Sequence, residues 1–167
     1  LCESYGMEII DSDVGLLACG DVGKGKLADL SVIKNAIVRA LIKEKILKGL
    51  KVVVTAGPTE QAIDPVRFIT NHSSGKMGYE LARAAQHLGA NVSLISGHVS
   101  LPPVEDVNMI SIVSAQEMAD AVFQEAKEAD IIIKAAAVAD YTPKQTENHK
   151  IKKQGDSLCI ECVRTTD

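Results

Sequence analysis

The sequence has no tryptophan, and tyrosine and phenylalanine together supply only 3% of its residues. Its formal net charge of −4 shows that it also lacks the excess of basic residues that nucleic-acid-binding proteins carry. Without stacking platforms or a broad cationic surface, the chain is not expected to bind nucleic acid. Local lysines can still serve a small anionic substrate.

Long hydrophobic runs are absent too. The longest, IIIKAAAVA, is interrupted by Lys134 and is far shorter than the roughly 20 residues that span a bilayer. We therefore expect no membrane segment. The chain begins at LCES, with neither an initiator methionine nor a secretory stretch, so we expect a piece of a longer protein.

Cysteine is sparse, with four residues in a chain large enough to fold without disulfides. We expect reduced thiols and a cytoplasmic location. Cys159 and Cys162 form a C-x-x-C pattern, but no second ligand pair follows at a spacing that suits zinc. We therefore expect ordinary strand cysteines.

The first third of the chain predicts one helix after an irregular segment. Residues 1–30 have no regular apolar pattern, whereas SVIKNAIVRALIKEKIL has helical spacing. Asp29 or Ser31 is expected to cap this helix and Gly49 to end it.

From Lys51 onward the pattern alternates between strands and helices. Four strands are predicted at KVVVTAG, NVSLISG, MISIV and DIIIKAAA, with LCIECV as a candidate fifth; the fourth reads as a parallel strand covered on both faces. One helix is predicted over 75–88 and another after a capping box of Ser114 and Glu117. The first is expected to bury Met77, Leu81, Ala84, Ala85 and Leu88. This order predicts an α/β, Rossmann-like, three-layer, open and mainly parallel sheet with helices on both faces.

An overlong connection follows the first strand of this sheet. Its 17 residues, GPTEQAIDPVRFITNHS, have no regular pattern, and such connections usually need about 2 to 6. It lies over the carboxyl edge of the sheet, where it brings polar and positive groups to the first amides of a helix, so we predict an anion site. The residues of this predicted site are Gly57, Arg67, Asn71, His72, Ser73, Ser74 and Gly75. Alternatively, the serines only cap the helix and Asn71 only makes a turn.

A second cluster follows the fourth strand, at KAAAVADY. The alanines leave room for a flat ring, and Asp140 can accept hydrogen bonds from ribose hydroxyls. Alternatively, the alanines only allow close helix packing and Asp140 only starts a turn. Further on, Lys150, Lys152 and Lys153 form a run, a pattern that is most often solvated surface.

Two nucleotide motifs fail. GDVGKGKL has Leu27 where a P-loop needs serine or threonine, and AGPTEQ follows the first strand where a dinucleotide fold needs its glycine fingerprint. An NAD(P)-binding oxidoreductase is therefore the weaker alternative, and a non-catalytic scaffold is a further one.

Three long segments, in order, resemble the phosphopantothenoylcysteine synthetases, the phosphopantothenate cysteine ligases of coenzyme A biosynthesis. They are TAGPTEQAIDPVRFITNHSSGKMGYELA, SLISGHVSLP and AAAVADYTPKQTENHKIKK. The resemblance assigns residues 49–167 to the N-terminal part of such a ligase domain. Residues 1–48, with LACGDVGKGKLAD, resemble the tail of a flavoprotein decarboxylase followed by a linker helix.

The resemblance implies a ligase that joins 4'-phosphopantothenate to L-cysteine with CTP and Mg²⁺ through an acyl-cytidylate. It implies that Arg67, Asn71 and Lys150 form and use this intermediate, and that Cys19 donates a proton in the decarboxylase. It places the nucleotide against Lys134, Ala135, Ala136, Asp140 and Lys150.

The resemblance also describes a larger parent protein. It implies a bifunctional enzyme whose decarboxylase domain holds FMN, which this fragment does not hold. The implied partners are small molecules, and the implied full-length protein is a homodimer or a higher homo-oligomer. The fragment itself is expected to be incomplete in both activities.

Overall fold

The computed structural model describes residues 2–153 and 155–165, and the chain divides into two compact units, Leu1–Glu44 and Lys45–Asp167. The smaller unit contains a 3-10 helix (Glu3–Tyr5), strands β1 (Asp13–Leu16) and β2 (Val22–Lys26), and helix α1 (Leu30–Leu41). Strands β1 and β2 pair antiparallel. None of the described residues of this unit is fully buried.

Two expectations for the smaller unit are corrected. Residues 1–30 are not irregular, because they contain the β1–β2 hairpin, whose second strand, VGKGK, is too rich in glycine to show a strand pattern. Helix α1 is capped as expected by Asp29, whose carboxylate accepts the N–H of Ser31 at 2.8 Å, but it ends at Leu41 and not at Gly49. Leu47 instead belongs to the larger unit, where its N–H bonds the carbonyl of Leu88.

The larger unit is built on a four-stranded parallel sheet. Along the chain its elements are β3 (Lys51–Ala56), β4 (Glu60–Ala62), β5 (Phe68–Thr70), α2 (Lys76–His87), β6 (Asn91–Ser96), β7 (Asn108–Ser111), α3 (Ala115–Ala126), β8 (Ile131–Lys134), β9 (Tyr141–Pro143) and β10 (Cys162–Arg164). The strand order in the main sheet is β7–β6–β3–β8, and all three pairs are parallel.

The two faces of this sheet are covered by different helices. Alternate residues of β3 point to opposite sides, so Val52 and Val54 pack with α2 while Val53 packs with Ile95 and α3. Ser114 caps α3 as predicted by accepting the N–H of Glu117 at 3.1 Å. The predicted Rossmann-like α/β fold, with helices on both faces, is therefore confirmed.

The last strands differ from the prediction. Within the described residues β8 pairs with β3 alone, which leaves Ile131 and Ile132 exposed and contradicts the expectation of a strand covered on both faces. The candidate fifth strand, LCIECV, is formed only at its end, because β10 begins at Cys162 and Cys159 lies outside any strand. Strand β10 pairs antiparallel with β9 in a separate small sheet. None of the helices in the described ranges has the length and apolar character needed to cross a lipid bilayer.

The buried face of α2 agrees with the predicted one only in part, because Ala85 is buried and Leu81 packs against the core but Ala84 is exposed. Met77 is 71% exposed, and the side that meets the sheet carries Gly78, Tyr79, Ala82 and Ala85. A Cβ at Gly78 would lie 2.5 Å from the Cβ of Ala56, so the helix can approach the sheet this closely through glycine. Close approach, more than apolar periodicity, therefore decides which face is buried.

Candidate functional site

The long connection between β3 and α2 is an ordered hairpin. Strands β4 and β5 pair antiparallel, with Gln61 opposite Ile69, and Ile63 and Arg67 close the turn through the N–H of Ile63 and the carbonyl of Arg67. The expectation of a connection without regular pattern was wrong, because two three-residue strands are too short to show a period. The hairpin gives the predicted site residues a rigid carrier.

Asp64 organises the turn of this hairpin. It is 3% exposed, and its Oδ1 accepts the backbone N–H groups of Val66 and Arg67, both at 2.9 Å. Its Oδ2 accepts from Nε and Nη2 of Arg67 at 3.1 and 2.5 Å and from the N–H of Ile151 at 3.0 Å. The Arg67 guanidinium, helped by these N–H donors, holds the pKa of Asp64 well below its usual range despite its burial.

The lowered pKa of Asp64 predicts a contribution to stability that acid removes. An unfolded aspartate has a pKa of about 3.9, so the contribution is complete above that pH and is lost as the pH falls toward the folded-state pKa. We expect the urea midpoint of the wild type to exceed that of Asp64→Asn by a constant amount from pH 7 to about pH 5, and by a shrinking amount below about pH 4. A difference that stays constant down to about pH 3 would contradict this assignment.

The segment 144–153, here called the strap, is docked on the hairpin. The Oγ1 of Thr146 donates to the carbonyl of Ala62 at 3.1 Å, and the N–H of Glu147 donates to that of Ile63 at 3.0 Å. Arg67 adds a bond from Nη2 to the carbonyl of Ile151 at 3.2 Å. The strap therefore holds its lysines beside Arg67.

A cleft of about 880 Å³ lies between these groups. Its positive lining residues are Arg67, Lys150, Lys152 and Lys153, and the rest of its described wall is formed by Ile151 and residues 155–159, with Asp156 as the one acid. The excess of positive charge makes the cleft suited to a polyanion. The predicted residues Arg67 and Lys150 thus lie in one cleft.

Asn71 lies at the other end of β5. Its Nδ2 donates to the carbonyls of Ala137 and Val138 at 3.3 and 3.1 Å, and it remains exposed. The hairpin therefore places Asn71 against the segment that leads to Asp140. At roughly 3.3 Å per residue of strand, Asn71 and Arg67 stand about 13 Å apart along β5.

The segment after β8 is fixed by Thr55. The N–H groups of Ala135 and Ala136 donate to the Oγ1 of Thr55 at 3.1 and 3.2 Å, and the N–H of Ala135 also reaches the Thr55 carbonyl. These amides are engaged, so the backbone offers a ligand carbonyl acceptors here. Lys134 and Asp140, on either side of this segment, are both exposed.

Two glycines with left-handed backbone conformation lie near the start of α2. Gly57 has φ 73° and Gly75 has φ 72°, and a Cβ at either would lie 2.9 Å from Cγ1 of Val99. Gly75 is the N-cap and has no side chain, while Ser73 accepts the N–H of Gly75 at 3.3 Å and Ser74 is exposed. The alternative that a serine caps this helix is therefore wrong, because no side chain bonds its first amides.

Cys19, the remaining predicted residue, belongs to the smaller unit. It is exposed between β1 and β2, and its Sγ donates to Oδ2 of Asp21 at 3.8 Å. The described residues of this unit provide no buried wall for a flavin ring. Across the described ranges, no group of three or more His, Cys, Asp or Glu side chains is arranged to hold a metal ion.

Sequence reasoning missed three residues that build the site: Thr55, Thr59 and Asp64. Asp64 had a readable signal, because aspartate before proline favours the first position of a tight turn and its carboxylate then accepts the following amides. Thr55 and Thr59 had no such sequence signal, because the amides that they bond lie about 80 residues away in the chain.

The comparisons with known proteins agree on one family. A sequence model of the DNA/pantothenate metabolism flavoprotein C-terminal domain matches residues 47–167. The coenzyme A biosynthesis bifunctional protein CoaBC of Vibrio vulnificus is 51% identical over 164 residues, covering 97% of the chain and 41% of that protein. The chain thus spans about two fifths of the length of the curated relatives it matches.

Solved structures give the same picture of the fold. The crystal structure of the C-terminal domain of a CoaBC protein superimposes with a TM-score of 0.65 and 47% identity, over 74% of this chain and 58% of that one. A Cab2 variant in complex with phosphopantothenate-cysteine superimposes with a TM-score of 0.59 over 80% of this chain and 62% of that one. At 16% identity, the second likeness speaks for the fold alone.

Proposed function

Because the chain belongs to the family of the DNA/pantothenate metabolism flavoprotein C-terminal domain, we propose that its larger unit is part of a phosphopantothenate cysteine ligase. The parent enzyme joins 4'-phosphopantothenate to L-cysteine at the expense of CTP, in coenzyme A biosynthesis. We further propose that it is cytoplasmic, homo-oligomeric and also a decarboxylase of the product. The relatives' printed role in coenzyme A biosynthesis supports the pathway.

The proposed reaction has two steps. A carboxylate oxygen of 4'-phosphopantothenate attacks the α-phosphorus of CTP, and the bond to the β-phosphate breaks to release pyrophosphate. The amine of L-cysteine then attacks the acyl carbon of the acyl-cytidylate, loses a proton and expels CMP. The first step brings several anions together, so it needs fixed positive charge around the phosphates.

One observation carries the proposal: Asp64 holds Arg67 and the lysine-bearing strap on the same cleft. A guanidinium and three ammonium groups around one space suit a triphosphate and an anionic acid better than a neutral substrate. In this arrangement Arg67 and Lys150 bind the reacting phosphates, while Lys152 and Lys153 add to the local positive charge.

The other end of the hairpin serves the nucleoside and the acyl group. The carbonyls of Ala135 and Ala136 accept from an amino group of the base, and Asp140 accepts from ribose hydroxyls. Asn71 has its Nδ2 beside this segment and orients the acyl-cytidylate. A phosphate can also use the first amides of α2, after Gly75, because no side chain caps that end of the helix.

Two cofactors belong to the proposal for the parent enzyme, Mg²⁺ and FMN. Mg²⁺ is proposed to enter with the triphosphate, because this ion is usually held by substrate phosphates together with one or two carboxylates. FMN would supply redox chemistry in a decarboxylase domain, but residues 2–44, the described part of the smaller unit, include no buried residue to cover its ring.

We predict that Asn71→Asp and Lys150→Gln each slow one step in the full-length enzyme. Asn71→Asp is expected to form the acyl-cytidylate but to use it about 10²-fold more slowly, because a carboxylate repels the acyl phosphate and removes a donor. Lys150→Gln is expected to slow formation of the intermediate by about 10²-fold, because it removes a charge from the phosphate cleft. Single-turnover assays with radiolabelled CTP measure both steps.

The control is Lys127→Gln, which removes an exposed lysine near the end of α3, outside the cleft. It is expected to leave both rates unchanged. If Asn71→Asp and Lys150→Gln also keep wild-type rates, the proposal is wrong. Calorimetry with CTP and Mg²⁺ distinguishes a ligase from a non-catalytic scaffold. A scaffold is expected to bind no CTP, either as this chain or as the full-length protein.

A further inference from the structure

We propose that Thr59 is a positioning residue that sets the distance between Asn71 and the backbone of residues 137–139. The inference rests on the proposed function and adds a residue to it. Thr59 lies just before β4 and is completely buried, although it is a polar side chain at the edge of a binding site.

Thr59 uses its side chain and its backbone to join three segments. Its Oγ1 accepts the N–H of Ala139 at 2.9 Å and lies 3.4 Å from Nε2 of Gln61. Its N–H donates to the carbonyl of Ala137 at 3.2 Å, and its own carbonyl accepts from Oγ1 of Thr70 at 2.9 Å. Thr59 is therefore bonded to both strands of the hairpin and to the loop after β8.

These bonds end next to the residues assigned to substrate. Thr70 directly precedes Asn71, and Ala139 directly precedes Asp140. The carbonyl of Ala137 accepts from both the N–H of Thr59 and the Nδ2 of Asn71. A change at Thr59 therefore shifts Asn71 and Asp140 relative to each other, without any contact between Thr59 and the substrate.

The test compares Thr59→Val with Thr59→Ser in the full-length enzyme. Valine has nearly the same shape but leaves the buried N–H of Ala139 without its acceptor. We expect kcat for the CTP-dependent ligation to fall about 10- to 100-fold, because a misplacement of about 1 Å in a reacting constellation costs up to about 10²-fold. Serine keeps the hydroxyl and is expected to restore kcat to within about threefold of wild type.

The matched control is Ser93→Ala. Ser93 is buried in β6 near the opposite end of the sheet, and its hydroxyl donates to Glu125 at 2.7 Å. It is expected to lower the thermal midpoint as Thr59→Val does while leaving kcat unchanged. A second variant, Thr70→Val, removes the bond to the Thr59 carbonyl at an exposed residue and should lower kcat about fivefold.

Each outcome separates this inference from the proposed function. A wild-type enzyme that makes no CTP-dependent product overturns the proposed function. An active wild type with full kcat in Thr59→Val overturns this inference alone, as does a serine variant as slow as the valine one. If Thr59→Val does not fold, an unchanged kcat in Thr70→Val overturns the inference instead.

Discussion

Replacing Asp64 with asparagine in the full-length enzyme is expected to lower the rate of acyl-cytidylate formation about 10³-fold. One misplaced charge-stabilising donor typically costs about 10² to 10³-fold, and this change disturbs two groups at once. Asp64 holds the guanidinium of Arg67 and, through the N–H of Ile151, the strap next to Lys150. The expected loss is therefore at the upper end of the range.

Asparagine cannot reproduce these contacts in either orientation of its amide. Every partner of Asp64 is a donor: the N–H groups of Val66, Arg67 and Ile151 and the guanidinium of Arg67. An amide offers one acceptor oxygen and a second group that donates. Whichever way it lies, its NH₂ faces N–H donors, so Arg67 or the strap must move.

The matched control is Asp130→Asn, which makes the same chemical change at the opposite end of the sheet. Asp130 is exposed, and its Oδ2 accepts the backbone N–H of Lys51 at 2.8 Å. We expect near wild-type rates from it in single-turnover assays with CTP. Equal rates for Asp64→Asn and wild type would show that the cleft does not depend on this carboxylate.

The main sheet could be predicted because its sequence signal is local. A strand buried on both faces is a continuous apolar run, and VVV of β3 lies in the core with exposures of 1% or less. Helix caps are local too, which is why Ser114 was assigned correctly and Asp29 was one of the two candidates for α1. These signals lie within a few residues of the element that they define.

The features that were missed depend on distant contacts. Hairpin β4–β5 is stabilised by the loop after β8 and by the strap, through bonds such as that between Thr59 and Ala139. The buried face of α2 follows from the close approach of Gly78 to Ala56. The apolar periodicity of the sequence does not depend on either contact. The sequence therefore predicted an irregular connection between β3 and α2 and only part of the buried face of α2.

The location of the candidate site in the fold could be predicted from the sequence, whereas the contacts among its residues could not. The overlong connection and the fold rule for ligands at the carboxyl edge indicated where Arg67 and Asn71 lie. The three-dimensional structure was needed to show that Arg67 and Lys150 line one cleft. It was also needed to show that Asn71 contacts the carbonyls of Ala137 and Val138.

The largest loss of stability is expected from Gly97→Ala. A Cβ at Gly97 would lie 1.7 Å from the backbone oxygen of Pro58 and 2.8 Å from its carbonyl carbon. Neither atom can move easily, because Pro58 forms a parallel bridge with Ala137 and the next residue, Thr59, is bonded to the same loop. We expect the variant to be destabilised by about 3 kcal/mol, the upper range for overpacking a rigid core.

Gly49→Ala is the matched control, because it separates backbone strain from steric clash. Gly49 has φ 86° but nothing within 4 Å of an added Cβ, so alanine there meets the left-handed penalty of about 1–2 kcal/mol alone. Gly97 is in the opposite situation, because its φ lies outside the left-handed region but an added Cβ would have no room. Urea unfolding should therefore show a larger loss of unfolding free energy for Gly97→Ala than for Gly49→Ala. Gly97→Ala should also lower the turnover of the ligase, because it moves Thr59. A smaller loss of stability at Gly97 than at Gly49 would show that the loop after β6 does not approach Pro58 this closely.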